Sequence, residues 1–450
     1  RMAESAALLV DEVFPKQPVR QWVLSFPYPL RFLFASRPAI MGQVLGIVCR
    51  AIAGHLIKQA GLTRKRARTG AVTLIQRFGS ALNLNVHFHM LFLDGVYVVG
   101  ADGTLQRFRP VRAPTTAELS KLTQTIAERV GCFLQRQGLL ERDAEHYLTG
   151  DGLEAKPMAQ LCGHSITYRI AVGPQAGRKV FTLQTLPASE EPFDGPVGQV
   201  AGFSLHAGVA AKAHQRQKLE RLCRYISRPA VSEQRLSLTP NGKVRYQLKT
   251  PYRDGTTHVI FEPLDFIARL AALVPKPRVN LNRFHGVFAP NSRDRAAVTP
   301  GKRGKGAQPK AFEEGDERTP AERRAAMTWA QRLKRVFGIE IETCASCGGA
   351  LRIIASIEDP AVIKKILTHL DTKDASAAPS RLPPARAPPP SDLFCSTASH
   401  PTHTTGADRL RRGMAALVLT VRIRPKSPFP EDHFSAREAR IPADIASHAG

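Results

Sequence analysis

Residues 83–94 have the sequence NLNVHFHMLFLD, in which polar and apolar residues alternate as in a β-strand. Successive side chains of a β-strand point to opposite faces, so His87 and His89 share one face with Asn83 and Asn85. The pattern predicts that the two imidazoles lie about 7 Å apart along the polar face of a strand. The other face is apolar throughout, which is typical of a strand that packs against helices, and consists of Val86, Phe88, Met90 and Phe92.

Two imidazoles at this spacing are close enough to bind one metal ion. Imidazole suits Zn, Cu, Fe and Ni, whereas Mg and Mn usually take oxygen ligands, so the spacing alone does not choose the metal. The alternative is that His87 and His89 are ordinary strand residues with structural hydrogen bonds. The asparagines on the same face count against this alternative without excluding it.

The rest of the chain mixes helices and strands without a regular βαβ order. Helical spacing of apolar residues predicts helices at residues 37–60, 115–137, 207–227 and 263–273. The segment TPNGK at residues 239–243 is a hairpin signal. These features indicate an α+β fold with a largely antiparallel sheet and flanking helices. Strand patterns occupy the start of 19–35 and residues 71–78, 84–99, 165–171, 179–186, 235–238, 244–248 and 257–261.

The charge of the chain is strongly positive, because 64 Lys and Arg residues face 38 Asp and Glu residues to give +26. Such an excess usually answers a polyanion, and nucleic acid is the first candidate. An anionic membrane is the second, but no amphipathic helix with a basic polar face stands out, so we expect no membrane partner. No run of about 20 apolar residues predicts a transmembrane helix. Asp11 and Glu12 break the signal-peptide pattern, and seven scattered cysteines indicate a reducing cytoplasm.

Composition also divides the chain. A C-x-x-C pair, Cys344 and Cys347, is half of a zinc ribbon. A structural zinc needs four ligands and no second pair follows, so this pair is either a zinc site with distant ligands or, as we favour, a remnant without metal. We predict an N-terminal remnant or linker at 1–18, a catalytic domain at 19–290, a charged linker at 291–325, the small C-x-x-C module at 326–371 and a disordered tail at 372–450.

A second motif is KLERLCRYISRP at residues 218–229, which predicts an amphipathic helix. Tyr225 lies beside the apolar stripe, with Lys218, Arg221 and Arg228 as helical neighbours. A phenol near cations can approach a phosphodiester as a nucleophile, because positive charge stabilises the phenolate. The alternative is a half-buried tyrosine on a helix that only binds the DNA backbone. We expect phosphate contacts from Lys218, Arg221, Arg224 and Arg228, and from Arg64 and Arg66 in a basic loop.

With both motifs, the chain resembles the rolling-circle transposases of the insertion-sequence-ninety-one type, members of the HUH (His–hydrophobic–His) endonuclease superfamily. The resemblance covers roughly residues 18–300. The similar stretches are RQWVLSFPYPLRFLFA at 20–35, LNVHFHMLFLDGVYV at 84–98, FSLHAGVAA at 203–211, LERLCRYISRPAVSEQRL at 219–236, THVIFEPLDFIARLAALVPKPR at 257–278 and NRFHGVFAPNSRDR at 282–295.

The resemblance implies an HUH-type antiparallel sheet, with His87 and His89 as ligands of a catalytic divalent metal, Mg or Mn. It implies that Tyr225 cuts single-stranded DNA at the ends of a mobile element and stays linked to the 5′ phosphate. A 3′-hydroxyl then rejoins the strand. The third ligand is open between Asp94, His206 and Glu220, and we favour His206 because it precedes the tyrosine helix.

Two departures from the family pattern bear on activity. Many relatives carry a second tyrosine four residues before the first, where this chain has Arg221, so it resembles the single-tyrosine branch. The chain also starts just after the point where the family's N-terminal zinc module would end, and a truncation there would impair recognition of element ends. The rival functions are therefore a catalytically dead DNA-binding remnant and a replication initiator or relaxase with the same chemistry.

Overall fold

The structure is a computed structural model. The chain divides into two compact units, Arg1–Ala326 and Met327–Gly450, which we describe separately. The residues that the structure describes are 2–140, 157–186, 197–302, 327–343, 348–357, 359–374 and 417–422.

The first unit is built on a six-stranded sheet in which every neighbouring pair is antiparallel. Its strands are β1 (Val19–Ser25), β3 (Gly70–Phe78), β4 (Leu84–Leu93), β8 (Val197–Val200), β9 (Phe203–Ala211) and β13 (Asn282–Gly286). Their order across the sheet is β13-β3-β4-β1-β9-β8, so β4 lies in the interior between β3 and β1. The predicted α+β fold with an antiparallel sheet is confirmed.

One face of this sheet is covered by helices, as the apolar side of β4 predicts. Phe88 and Met90 are fully buried there, together with Trp22 and Leu24 of β1. A capping box formed by Thr115 and Glu118 begins the helix Thr116–Arg136 at the predicted position. The covering helices are α2 (Tyr28–Ser36), α3 (Pro38–Gln59), α4 (Thr116–Arg136) and α5 (Pro157–Ile166).

The opposite face packs against α1 (Met2–Leu8), a π-helical turn at Leu9–Val13, and α6 (Arg216–Ile226). The guanidinium of Arg216 donates hydrogen bonds to the carbonyl oxygens of Val10, Phe14 and Pro15. The N-terminal stretch that we predicted to be a linker therefore joins the core and anchors the start of α6. It does so because it carries a buried apolar stripe of Ala6, Leu9, Val10, Val13 and Phe14.

Two smaller sheets complete the first unit. The predicted hairpin at TPNGK is present, with Gly242 at φ +73° in the turn. The three-stranded sheet holds β2 (Ala67–Arg68), β5 (Gly95–Val99) and β6 (Leu105–Pro110). The four-stranded sheet holds β7 (Phe181–Gln184), β10 (Leu236–Leu238), β11 (Val244–Gln247) and β12 (Thr256–Phe261), and further elements are a 3-10 turn (Glu233–Arg235), α7 (Pro263–Leu273) and α8 (Arg295–Val298).

Two predicted elements differ from the structure. The helix that we predicted for 207–227 is a strand up to Ala211, because Phe203, Leu205 and Ala207 alternate into the core, and only its second half is helical. The strand that we predicted from Ser165 begins inside α5, where Cys162 and Ile166 pack on the core at helical spacing.

The second unit contains helix α9 (Trp329–Phe337), strand β14 (Leu351–Ile357), helix α10 (Pro360–Asp374) and strand β15 (Leu417–Arg422). Strands β14 and β15 pair antiparallel. The Cys344 and Cys347 pair lies outside the described residues.

Helix α3 is long and apolar enough to cross a membrane, although we found no run of about 20 apolar residues in the sequence. Half of the most apolar part of α3 is buried inside the first unit. Met41, Val44, Val48 and Ile52 pack in the helical core against the sheet, which accounts for their apolar character.

Candidate active site

The two histidines of β4 lie on the sheet face that carries α6. Strand alternation directs both imidazoles away from the helical layer formed by α2 to α5. Their Nε2 atoms are 3.1 Å apart, and both residues are buried, with relative exposures of 9% for His87 and 6% for His89. The His–hydrophobic–His stretch therefore forms a close pair of imidazoles.

Hydrogen bonds of both rings set the roles of their nitrogen atoms for the amide orientation found at Gln21. His87 donates from Nδ1 to the carbonyl oxygen of Asn85 at 2.8 Å, so its Nε2 is an acceptor. The Gln21 amide nitrogen donates to Nδ1 of His89 at 2.7 Å, so Nε2 of His89 carries the proton that the two histidines share. Rotation of the Gln21 amide would reverse these roles and free Nε2 of His89 as a ligand.

Burial keeps both rings neutral. Desolvation, opposed by the hydrogen bond to Asn85 and assisted by the charge of Arg228, lowers the pKa of His87 to about 4. Desolvation also lowers the pKa of His89 well below its ordinary value, with smaller contributions from His87 and Arg228. Neutral imidazole is the form that binds a metal ion.

Gln76 of β3 adds an oxygen atom to the pair. Its Oε1 lies 3.2 Å from Nε2 of His89, while its Nε2 donates to the carbonyl oxygen of Ile226 at 2.8 Å. The bond to Ile226, the last residue of α6, turns the amide oxygen toward the histidines. The same side chain therefore ties the tyrosine helix to the histidine pair.

Helix α6 places Tyr225 against the histidines. Its buried stripe is the predicted one, Leu219, Leu222, Cys223 and Ile226, and this stripe packs on the sheet. The Tyr225 ring meets the His89 ring edge-on at 86°, with 6.5 Å between the ring centroids. Residues far apart in the sequence thus form one compact site.

Two cations lie over the ring of Tyr225. The Arg228 guanidinium carbon is 4.0 Å from the ring centroid, and the Lys249 ammonium nitrogen is 4.8 Å from it. Arg228 also contacts the ring of Phe78 and donates to the carbonyl oxygen of Tyr225. We predicted Arg228 from the helix pattern, but Lys249 follows β11 and no local pattern connects it to Tyr225.

A protein-family model described as "Putative transposase" matches residues 70–296. The chain belongs to this transposase family. The match runs from the start of β3 into α8, so it includes His87, His89 and Tyr225. No curated protein and no solved structure matches the chain.

The three residues that we considered as a third metal ligand of the transposase lie apart from the pair. His206 of β9 is separated from His89 by Val23, which is in register with both, and its Nε2 is 3.2 Å from Ser204 Oγ. Asp94 accepts two hydrogen bonds from Arg20 at 2.7 and 2.9 Å. Glu220 forms an ion pair with Arg224 at 2.9 Å.

The donor atoms at the pair fit a divalent ion that keeps open positions for substrate. Across the described residues, no three His, Cys, Asp or Glu side chains form a metal-binding group. The amide oxygen of Gln76 lies 3.2 Å from Nε2 of His89, so this amide and the two imidazoles would offer one oxygen and two nitrogen donors once Nε2 of His89 has lost its proton. Such a mixed set suits a divalent ion with intermediate preferences better than one that takes only oxygen.

The residues predicted to contact DNA occupy two regions. On α6, Arg221 is exposed and Lys218 is partly exposed, whereas Arg224 is held by Glu220. Arg64 and Arg66 are exposed in the loop between α3 and β2, on a different part of the first unit. Of the predicted cations, Arg228 is the one that the structure brings to the Tyr225 ring.

Proposed function

We propose that this transposase cuts and rejoins single-stranded DNA with a divalent metal ion, with Tyr225 as the nucleophile. The observation that carries the proposal is the edge-on contact between the Tyr225 ring and the His89 ring of the histidine pair, whose centroids are 6.5 Å apart. A nucleophile and a candidate metal site at this separation can both reach one phosphodiester.

In the proposed step, Tyr225 gives up its phenolic proton to solvent and attacks the phosphorus atom. A bond forms between Oη and phosphorus, the bond from phosphorus to the 3′ oxygen breaks, and the 3′ oxygen takes up a proton. The product is a 5′-phosphotyrosine, which conserves the energy of the phosphodiester. Attack by another 3′-hydroxyl reverses the step and joins the new strand, so no nucleotide hydrolysis is needed.

His87, His89 and Gln76 would hold the metal. When bound, a divalent ion polarises the phosphate oxygens and stabilises the departing 3′ oxygen. The resemblance to the HUH superfamily suggests Mg or Mn, whereas the two imidazole donors are of the type that more often holds Zn, Cu, Fe or Ni. Arg228 and Lys249, which both lie over the Tyr225 ring, would attract the phosphate to it and favour the attacking phenolate.

The affinity for DNA comes from cations that contact phosphates without reading the sequence. Lys218 and Arg221 on α6 and the charge of +26 support this role, and binding would weaken as salt rises. Single-stranded DNA at the ends of a mobile element would be the partner, which requires a DNA-associated, cytoplasmic protein.

A covalent-adduct assay tests the proposal. The full chain is incubated with Mn²⁺ and labelled single-stranded DNA from both flanks of its gene, and adducts are resolved on a denaturing gel. We expect an adduct that is lost on chelation, in Tyr225→Phe and in His87→Ala/His89→Ala. Tyr252→Phe, which alters another partly exposed tyrosine of the same unit, is the matched control and should retain it.

The assay also separates the rival function. A protein that only binds DNA would shift the mobility of the oligonucleotide on a native gel but give no adduct with any flank. An adduct that persists in Tyr225→Phe would mean that another residue is the nucleophile.

A further inference from the structure

A groove of about 680 Å³ lies between α3 and α4, in the helical layer of the first unit. Its α3 wall presents Gly54 and Lys58, and its α4 wall presents Lys121 and Arg129. Arg64, from the loop after α3, also lines it. The groove is thus bordered by four cations from three chain segments.

These four cations are not neutralised by neighbouring carboxylates. Among the described residues, none of them forms an ion pair within 4.0 Å. The one carboxylate in the lining, Glu118, accepts two hydrogen bonds from Arg112 at 2.6 and 2.9 Å, and one from the backbone of Thr115. Glu118 is therefore committed to Arg112 and the helix cap, and the groove is left strongly positive.

The cationic side chains are aligned along the walls of the groove. Lys121, Thr125 and Arg129 recur at every fourth residue on one face of α4, so the two charges are about 12 Å apart along the helix. On the facing wall, a Cβ atom at Gly54 would lie 3.2 Å from Nη2 of Arg64. The absence of a side chain at Gly54 lets the guanidinium lie close against α3.

This groove is separate from the candidate active site. The helices α3 and α4 pack on the sheet face that buries Phe88 and Met90, whereas α6 packs on the face that carries His87 and His89. The body of the sheet lies between the two. A ligand in the groove therefore cannot also touch Tyr225 unless it is long enough to pass around the sheet.

We propose that the α3–α4 groove is a second DNA-binding site that holds the phosphate backbone of a strand. At about 3.4 Å per nucleotide along one strand of B-form DNA, the roughly 12 Å between Lys121 and Arg129 spans three to four nucleotides. Apart from Glu118, the charged groups that line the groove are lysine ammonium and arginine guanidinium groups, which contact phosphates without reading the sequence. The proposal rests on DNA being the partner of this transposase, but not on the chemistry of Tyr225.

The test compares salt-dependent DNA binding by charge-matched variants. All proteins carry Tyr225→Phe so that the DNA stays intact, and anisotropy of a labelled single-stranded oligonucleotide is measured over a range of salt concentrations. Lys121→Gln/Arg129→Gln removes two charges from the groove, and Arg107→Gln/Arg109→Gln removes two from the exposed side of β6. We expect the slope of log K against log salt to become shallower by about 1.4 in the groove variant, and by clearly less in the β6 variant. Equal slopes in the two variants would overturn the proposal.

Two further arms complete the test. Gly54→Glu places a carboxylate at Arg64 and should weaken DNA binding in the same way, without removing any cation. Calorimetry with inorganic pyrophosphate tests for a small-anion site. If the groove variant loses pyrophosphate binding while its DNA slope equals that of the β6 variant, the proposal is wrong. If wild-type protein forms the covalent adduct but the salt slopes are unchanged, only the proposal of DNA binding in the groove is refuted. If the slope changes but no adduct forms, only the proposal that Tyr225 cuts DNA is refuted.

Discussion

At the scale of single residues, the surroundings of Tyr225 are set by side chains from three elements. His89 comes from β4, Arg228 follows α6, and Lys249 follows β11. The two cations lie at similar distances from the ring, but Arg228 is also held by Phe78 and by the Tyr225 carbonyl. Lys249 is exposed and has the ring of Tyr225 as its described cation–π partner, so its charge can be removed with little disturbance.

Lys249→Gln should slow formation of the covalent adduct by roughly 2- to 5-fold, because the contact of this exposed ammonium group with the Tyr225 ring contributes about 0.5–1 kcal/mol. Adduct formation is followed over time under single-turnover conditions. The matched control is Lys243→Gln, which removes a lysine of the same hairpin that pairs with Glu262 and lies over Phe181. Equal rates for the two variants would exclude a role for Lys249 in the chemical step.

The residue scale also marks the limit of the sequence analysis. The His87–His89 pair and Tyr225 were predictable because each stands in a local pattern with a strand or helix period. Gln76 and Gln21 carry no such pattern, and they reach His89 only because β3 and β1 flank β4 in the sheet. Asp94, by contrast, is a plausible ligand from the sequence alone. In the structure it accepts hydrogen bonds from Arg20, on the sheet face opposite to the histidines.

At the scale of elements, two glycines differ in whether a side chain would fit at their positions. Gly42 lies within α3, and a Cβ atom built there meets nothing within 4 Å. Gly198 lies in β8, and a Cβ atom there would come within 2.6 Å of the Leu119 backbone and of Thr123 Oγ1 on α4. The glycine of β8 therefore allows α4 to pack directly on the strand.

Substitution of these two glycines should change stability in opposite directions. Gly42→Ala is expected to raise the free energy of unfolding by about 0.5–1 kcal/mol, because alanine lowers the entropy lost on forming the helix. Gly198→Ala should lower it by about 1–3 kcal/mol, because the α4 backbone must move away from β8. Urea unfolding followed by circular dichroism measures both. A stable Gly198→Ala protein would mean that α4 can shift without loss.

Local patterns predicted most elements, and tertiary contacts decided the rest. Helix α4 was predicted to within a residue because Thr115 and Glu118 form a capping box. In contrast, the alanine-rich stretch around Ala207–Ala211 favours a helix locally but is a strand, because β1 pairs with it at Val209, Ala210 and Ala211. The N-terminal stretch was also misjudged, since its partner, Arg216, lies on α6.

At the scale of the whole first unit, the sheet separates two positively charged regions. One surrounds Tyr225 on the α6 face, and the other is the groove between α3 and α4. The overall charge predicted a polyanion as partner but did not locate it, because charge totals contain no information about which cations share a face. The topology supplies that information, and it allows one DNA molecule to be held at two places.

Buried histidines should also make the stability of this unit depend on pH. Desolvation lowers the pKa of His87 and of His285 from 6.5 to about 4, and the charge of Arg283 acts in the same direction on His285. Both are therefore neutral when folded, whereas in the unfolded chain they take up protons below about pH 6.5. The stabilisation is fully present above pH 6.5 and is lost as pH falls toward 4, by at most about 3 kcal/mol for His87.

This dependence can be tested by urea unfolding of metal-free protein between pH 7.5 and 4.5. We expect the free energy of unfolding to fall with pH over this window, and His285→Gln, which removes one of the titrating groups far from the candidate metal site, to show a shallower fall. The control is His214→Gln, which alters an exposed histidine and should keep the wild-type slope. If His285→Gln and wild type fall in parallel, His285 takes up its proton equally in the folded and unfolded chains, and its desolvation in the fold does not affect stability.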